Sequence, residues 1–154
     1  MPVVFRKAVA EDIEEIVNLC NECFEEKSSL RYAKEMFEKT KEDPNQIYVV
    51  GIYNHKIIAH AKATVIPTIY SKMNTYAILN HVCVKQACRR KQVATQMLDY
   101  ITELCQEMNC VSLKLWSKNF RTAAHACYYH YGFTREDAGF FTKKIKKSVV
   151  EDEK

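Results

Sequence analysis

No stretch of this 154-residue chain is long and apolar enough to cross a membrane. The longest weakly charged run, Ala63 to Asn80, contains Lys72 and carries Pro67, Ser71 and Asn74. No signal peptide opens the chain, so a cytoplasmic, reducing location is expected. Basic residues are spread rather than massed and the net charge is only +4, which argues against a dedicated nucleic-acid binder. With three glycines and three prolines, no linker or repeat divides the sequence. Cysteine is plentiful at seven, but the odd count and irregular spacing match no disulfide framework. Cys20-x-x-Cys23 is the sole CxxC pair, and no second Cys/His pair completes a zinc site. The cysteines therefore read as reduced, mostly small core residues, and no metal is expected.

What is present is ordinary globular material, with 47% hydrophobic and 27% charged residues. The length suits one domain over residues 1–147, with a polar tail at 148–154. Val3–Lys7 reads as a strand, and Ala10–Asp12 opens a helix with acidic residues in its first turn. Ile13, Ile16, Val17, Cys20 and Phe24 form the buried stripe of that helix. A second helix is expected over Tyr32–Lys41. Strands follow over Ile47–Tyr53 and Lys56–Ile66, joined by the two-residue turn Asn54-His55. Further strands are expected at Tyr76–Lys85, Val111–Trp116 and Gly139–Lys146, with helices at Val93–Met108 and Ala123–Tyr131. This order predicts an α/β fold, one mixed sheet with helices on both faces.

The stretch from Asn80 to Asp99 organises the rest. Strand-type residues run into the basic turn Arg89-Arg90-Lys91 and then into a helix with Val93, Met97, Leu98 and Ile101 on one side. Unpaired amides and the positive end of a helix dipole suit such a junction to an anion. Three cations on a loop are equally compatible with a plain solvated surface.

At this point the chain resembles the GNAT superfamily of acyl-CoA-dependent N-acetyltransferases. The family's acetyl-CoA loop has the pattern [Q/R]-x-x-G-x-[G/A]; Arg89-Arg90-Lys91-Gln92-Val93-Ala94 is similar, with Gln92 standing where the family has glycine. The family's A-x-x-x-Y-x-x-x-G-F motif is matched by Ala124 to Phe133. Arg121-Thr122-Ala123-Ala124-His125 is similar to R-x-x-A-H, found in a subset that includes small-molecule amine acetyltransferases.

The resemblance implies a mostly antiparallel central sheet and acetyl-CoA as co-substrate. It implies pyrophosphate binding by Arg89, Arg90, Lys91, Gln92, Val93, Ala94 and Thr95, with Arg121 and His125 on the cofactor side. It further implies that the backbone of Val82, Cys83 and Val84 pairs with the pantetheine arm. Tyr128 becomes the expected acid for the departing thiolate, against the plainer reading of a core tyrosine. Relatives often carry an acidic base on the fourth strand, where this chain has Asn80-His81. His81 is the candidate base, and a buried or surface histidine is the alternative. Glycine at the Gln92 position would permit positive φ, so glutamine there implies a rearranged loop, weaker cofactor binding or a lapsed site. The expected acceptor is a small-molecule amine, with a protein lysine or N-terminus as an alternative. Glu22, Glu25, Glu26 and Glu35 are acidic residues that would attract a cationic amine or simply solvate their helices. Homodimers are common among such proteins. A non-catalytic acyl-CoA-binding or regulatory module on the same fold is the rival reading.

Overall fold

The computed structural model describes residues 1–147. These form two compact units, Met1–Trp116 and the segment from Ser117 onward. The polar tail expected at 148–154 lies outside the described residues.

The first unit holds five strands, β1 (Val4–Lys7), β2 (Gln46–Tyr53), β3 (Lys56–Ile66), β4 (Tyr76–Val84) and β5 (Ser112–Lys114). They lie in the order β1-β2-β3-β4-β5, antiparallel except for the parallel pair β4–β5. Both residues of the β2–β3 turn are left-handed, Asn54 at φ 50° and His55 at φ 62°. That is the geometry a two-residue hairpin needs to match strand twist.

Helices cover both faces. On one side α1 (Ile13–Phe24) and α2 (Leu30–Thr40) place Ile13, Ile16, Val17, Leu19, Cys20 and Phe37 against Val50, Ile57 and Cys83. The entry into α1 is fixed by Asp12, which takes a bidentate pair from Arg6 (2.7 and 3.0 Å) and the amide of Val9 (2.8 Å). These donors hold the Asp12 carboxyl below the usual carboxylate range, the Arg6 bond contributing most, against the opposing effect of burial. Adjacent strand residues face opposite ways. Gly51 and its β1 partner Phe5 therefore face the other side, where Tyr100 of α3 (Val93–Glu107) stacks on Phe5 at 6.1 Å. Gly51 has to be small: a Cβ there would lie 2.7 Å from the Phe5 ring. Met97, Leu98 and Ile101 of α3 are fully buried. Each contributes about 1.5–3 kcal/mol by leaving water.

Two expectations at the chain's end change. β5 is three residues long rather than the six of Val111–Trp116, because its ladder with β4 covers only Tyr76 to Ile78 and Trp116 is already exposed. Gly139–Lys146 is not a strand. A strand persists through its ladder, and no ladder includes these residues; Phe141 and Ile145 are almost fully exposed.

The second unit is built on α4 (Thr122–Tyr131), which ends at Gly132 with φ 119°. The Gly132 amide donates to the Tyr129 carbonyl (3.1 Å) and the Phe133 amide to the Tyr128 carbonyl (2.9 Å). This is the two-bond left-handed helix stop that glycine favours.

Candidate functional site

Past Ile78, β5 no longer accompanies β4, so among the described residues the stretch Leu79–Val84 has a strand partner only in β3. The register on that side also breaks. His60 pairs with Cys83 and Lys62 with Asn80, leaving His81 and Val82 opposite the single residue Ala61. Such a bulge turns a side chain away from strand alternation. It puts His81 at φ 52° with an exposed imidazole. Its Nε2 lies 3.3 Å from Oε1 of Glu26, and its ring meets Phe24 edge-on at 5.1 Å. Strand alternation alone could not place His81, because the bulge interrupts it. Asn80, half-buried, faces away from water more than its neighbour does.

The basic turn then begins. A short 3-10 segment, Gln86–Cys88, carries the chain to Arg89, whose Nε donates to the Val84 carbonyl at 2.9 Å. Arg89 is thus folded back onto the end of β4, though it remains exposed, as are Arg90 and Lys91. Arg90 and Gln92 are both left-handed, at φ 62° and 61°. Gln92 caps α3 without a side-chain hydrogen bond, and its carbonyl accepts the first helical amide, from Gln96 (3.0 Å). The amides of Val93, Ala94 and Thr95 precede any intrahelical acceptor. The loop therefore keeps the backbone shape expected of glycine, with glutamine absorbing strain of roughly 1 kcal/mol or more.

A thiol cluster that the sequence reading did not assemble sits beside this turn. Cys83, 5% exposed, belongs with Cys20 to the core cluster between α1 and β4, and Cys23 packs against that cluster. Cys23 Sγ also lies 3.6 Å from the Val84 carbonyl and 3.6 Å from the Arg89 guanidinium. The Cys83 contact, reinforced by Arg89 and opposed by burial, lowers the Cys23 thiol to about 6, while its neighbours and burial push the Cys83 thiol up. Cys20-x-x-Cys23 was the available signal in the sequence, which placed the pair in a helical pattern but did not reveal Cys83 beside it. All seven cysteines are free thiols.

In the second unit, Arg121 stands at the start of α4 with its guanidinium over the Phe120 ring (4.9 Å), and its carbonyl accepts the His125 amide (3.1 Å). Tyr128 and His125 are half-buried. The Tyr128 ring meets Phe133 in a T-shaped contact at 5.7 Å. So Val82, Cys83, Val84 and the residues from Arg89 to Thr95 form one continuous strand–turn–helix, with His81 at its bulge and Glu26 beside it. Arg121, His125 and Tyr128 share one helix. Among the described residues no group of three or more His, Cys, Asp or Glu is arranged to hold a metal ion, and no helix is long and apolar enough to cross a membrane.

A mixed five-stranded sheet whose fourth strand parts from the fifth and feeds a turn at a helix N-terminus defines an α/β acyltransferase-type architecture. Residues 12–133 match the model of the Acetyltransferase (GNAT) family, and the chain belongs to that family of enzymes. Solved structures share the fold. A predicted acetyltransferase with acetyl-CoA from Clostridium acetobutylicum superposes with a TM-score of 0.76 at 20% identity, covering 92% of this chain and 96% of that one. A transcriptional regulator from Bacillus halodurans C-125 gives 0.84 at 20% identity, covering 93% and 100%. An aminoglycoside antibiotic 6'-N-acetyltransferase from Acinetobacter haemolyticus gives 0.76 at 18% identity, covering 93% and 99%. No curated protein matches the sequence.

Proposed function

We propose that this chain is an acetyl-CoA-dependent N-acetyltransferase, acting as one domain over residues 1–147, that acetylates the amine of a small molecule by direct attack. The observation that carries the reading is the edge of β4 from Leu79 to Val84, which lacks a β5 partner and ends in a left-handed turn opening α3. An edge with no strand beside it among the described residues suits the amide-bearing pantetheine arm, bonding it as an added strand would, up to the Val84 carbonyl that Arg89 occupies. The amides of Val93, Ala94 and Thr95, with Arg89, Arg90 and Lys91 nearby in sequence, suit the pyrophosphate.

In this reading the amine nitrogen attacks the thioester carbonyl, and backbone donors of β4 stabilise the oxyanion as it forms. The C–S bond breaks, and coenzyme A leaves as a thiolate. His81 takes the ammonium proton, its imidazole oriented by Glu26 at 3.3 Å. Tyr128 gives a proton to the thiolate, an assignment resting on its place in the family's A-x-x-x-Y-x-x-x-G-F motif; Arg121 and His125 are assigned to the cofactor side on the same ground. A small-molecule acceptor is supported by the R-x-x-A-H match and by the fold shared with the aminoglycoside enzyme.

The competing reading, a regulatory acyl-CoA-binding module, draws support from Gln92 and from the fold shared with the Bacillus regulator. A thermal-shift titration with coenzyme A, followed by thiol release over an amine panel, separates the two. Stabilisation with thiol release supports the enzyme. Stabilisation without release from any amine supports the module, and no stabilisation removes both.

A further inference from the structure

Three cysteines gather between α1 and β4, and a guanidinium is held against one of them. Cys20 and Cys23 sit one turn apart on α1; Cys20 and Cys83 share one core cluster, and Cys23 packs against it. Cys20 and Cys83 are buried, whereas Cys23 is only half-buried. The Arg89 guanidinium lies 3.6 Å from Cys23 Sγ, and its Nε is tied to the Val84 carbonyl at 2.9 Å, so the positive charge is fixed in place.

We propose that Cys23 is a reactive thiolate, a modification site for hydroperoxides and soft electrophiles, and that Cys83 resolves its oxidised form into a disulfide. Reactivity of a thiol follows ionisation and access, and Cys23 has both an adjacent fixed cation and an exposed flank. Its lowered thiol pKa agrees with that placement. The peroxide O–O bond breaks as the Cys23 thiolate attacks one oxygen, giving Cys23 sulfenic acid and hydroxide or alkoxide. The Cys83 thiol then attacks that sulfur, an S–S bond forms, and water leaves. Sulfur loses two electrons overall and the hydroperoxide gains them. Cys83 is the resolving partner because it comes from the opposing strand in the cluster that Cys23 packs against, and Cys23 Sγ lies 3.6 Å from the carbonyl of the next residue, Val84.

The first test is alkylation of the reduced full chain with iodoacetamide at pH 6, read by mass spectrometry with fragment ions that separate Cys20 from Cys23. A thiolate-rich sulfur is intrinsically a weaker nucleophile, so its larger ionised fraction is partly offset, leaving roughly a ten-fold rate advantage over an ordinary thiol at that pH. Cys23 is expected to react that much faster than the equally half-buried Cys88 and Cys127. Arg89→Met should remove most of the advantage. In the second test, hydrogen peroxide should yield a peptide pair cross-linked through Cys23 and Cys83, and Cys83→Ala should instead leave a dimedone-reactive Cys23. Equal alkylation rates at Cys23, Cys88 and Cys127, or peroxide treatment that leaves Cys23 and Cys83 unlinked, would overturn the proposal. Both wild-type measurements decide it even where the Cys83→Ala core variant fails to fold.

Discussion

The amide of Phe133 donates to the carbonyl of Tyr128 at 2.9 Å while their rings meet edge to face at 5.7 Å. This pair closes the left-handed helix stop at Gly132, where an apolar contact commonly accompanies the backbone bonds. The Y-x-x-x-G-F spacing therefore has a structural reason of its own, and a proton-donating role for Tyr128 needs a test that separates the two. Tyr128→Phe keeps the ring and loses only the hydroxyl. It should leave cofactor affinity nearly unchanged while lowering turnover. Gly132→Ala should cost about 1 kcal/mol in chemical denaturation, the penalty for a Cβ in left-handed backbone. A Tyr128→Phe protein with wild-type turnover removes the phenol from the mechanism.

Gln92 makes the opposite prediction, a gain. Its φ of 61° is the conformation glycine adopts without strain. Gln92→Gly is expected to stabilise the fold by up to about 1 kcal/mol, less the extra chain entropy glycine brings to the unfolded state. Coenzyme A binding should tighten or stay level, measured by calorimetry. Weaker binding by the glycine variant would mean that the glutamine side chain itself contacts the ligand.

The contrast between these loops shows what the sequence made legible. Periodicity found α1 and α3, and the Asn54-His55 turn found the β2–β3 hairpin, because in each case neighbours along the chain determine the geometry. The bulge at His81 and Val82 was not legible, since it depends on how Ala61 of another strand is counted against them. The thiol cluster was hidden for the same reason: Cys23 and Cys83 are 60 residues apart in sequence. Gly139–Lys146 shows the converse, a stretch expected as a strand that no ladder takes up. Motif spacing located the candidate cofactor turn, but the Glu26 partner of His81 could only come from the folded chain.

His60 sets the acid limit of stability. It is 5% exposed, and its Nδ1 lies 2.9 Å from the Val49 carbonyl. Burial lowers its pKa to about 4, a result that the Val49 bond opposes and the nearby His81 slightly reinforces. The folded value lies below the unfolded one, so the unfolded chain binds the proton first as pH falls. Stability is complete above about 6.5 and is lost on the way down toward the folded value. From pH 7 to pH 5 the loss should be about 2 kcal/mol in urea denaturation. Asp12, whose pKa is also lowered, adds a further loss only below the ordinary carboxylate range. His60→Asn keeps an N–H donor and should flatten the slope between pH 7 and pH 5; an unchanged slope would place the titration elsewhere.

The pairing of His81 with Glu26 gives the sharpest check on the proposed base. The two are 3.3 Å apart, half or more shielded from solvent on the Glu26 side, with Phe24 against the imidazole. A carboxylate in that position fixes the ring's orientation toward the ammonium whose proton it would accept. His81→Asn removes the base and should lower kcat roughly 100-fold or more, with coenzyme A binding unchanged. Glu26→Gln leaves the imidazole in place and should give a smaller fall in kcat, with coenzyme A binding unchanged. Because Glu26 acts only through His81, the double variant should be no slower than His81→Asn alone. Additive losses would show instead that Glu26 meets the amine directly, and unaltered turnover in His81→Asn would hand the proton to another group or to water.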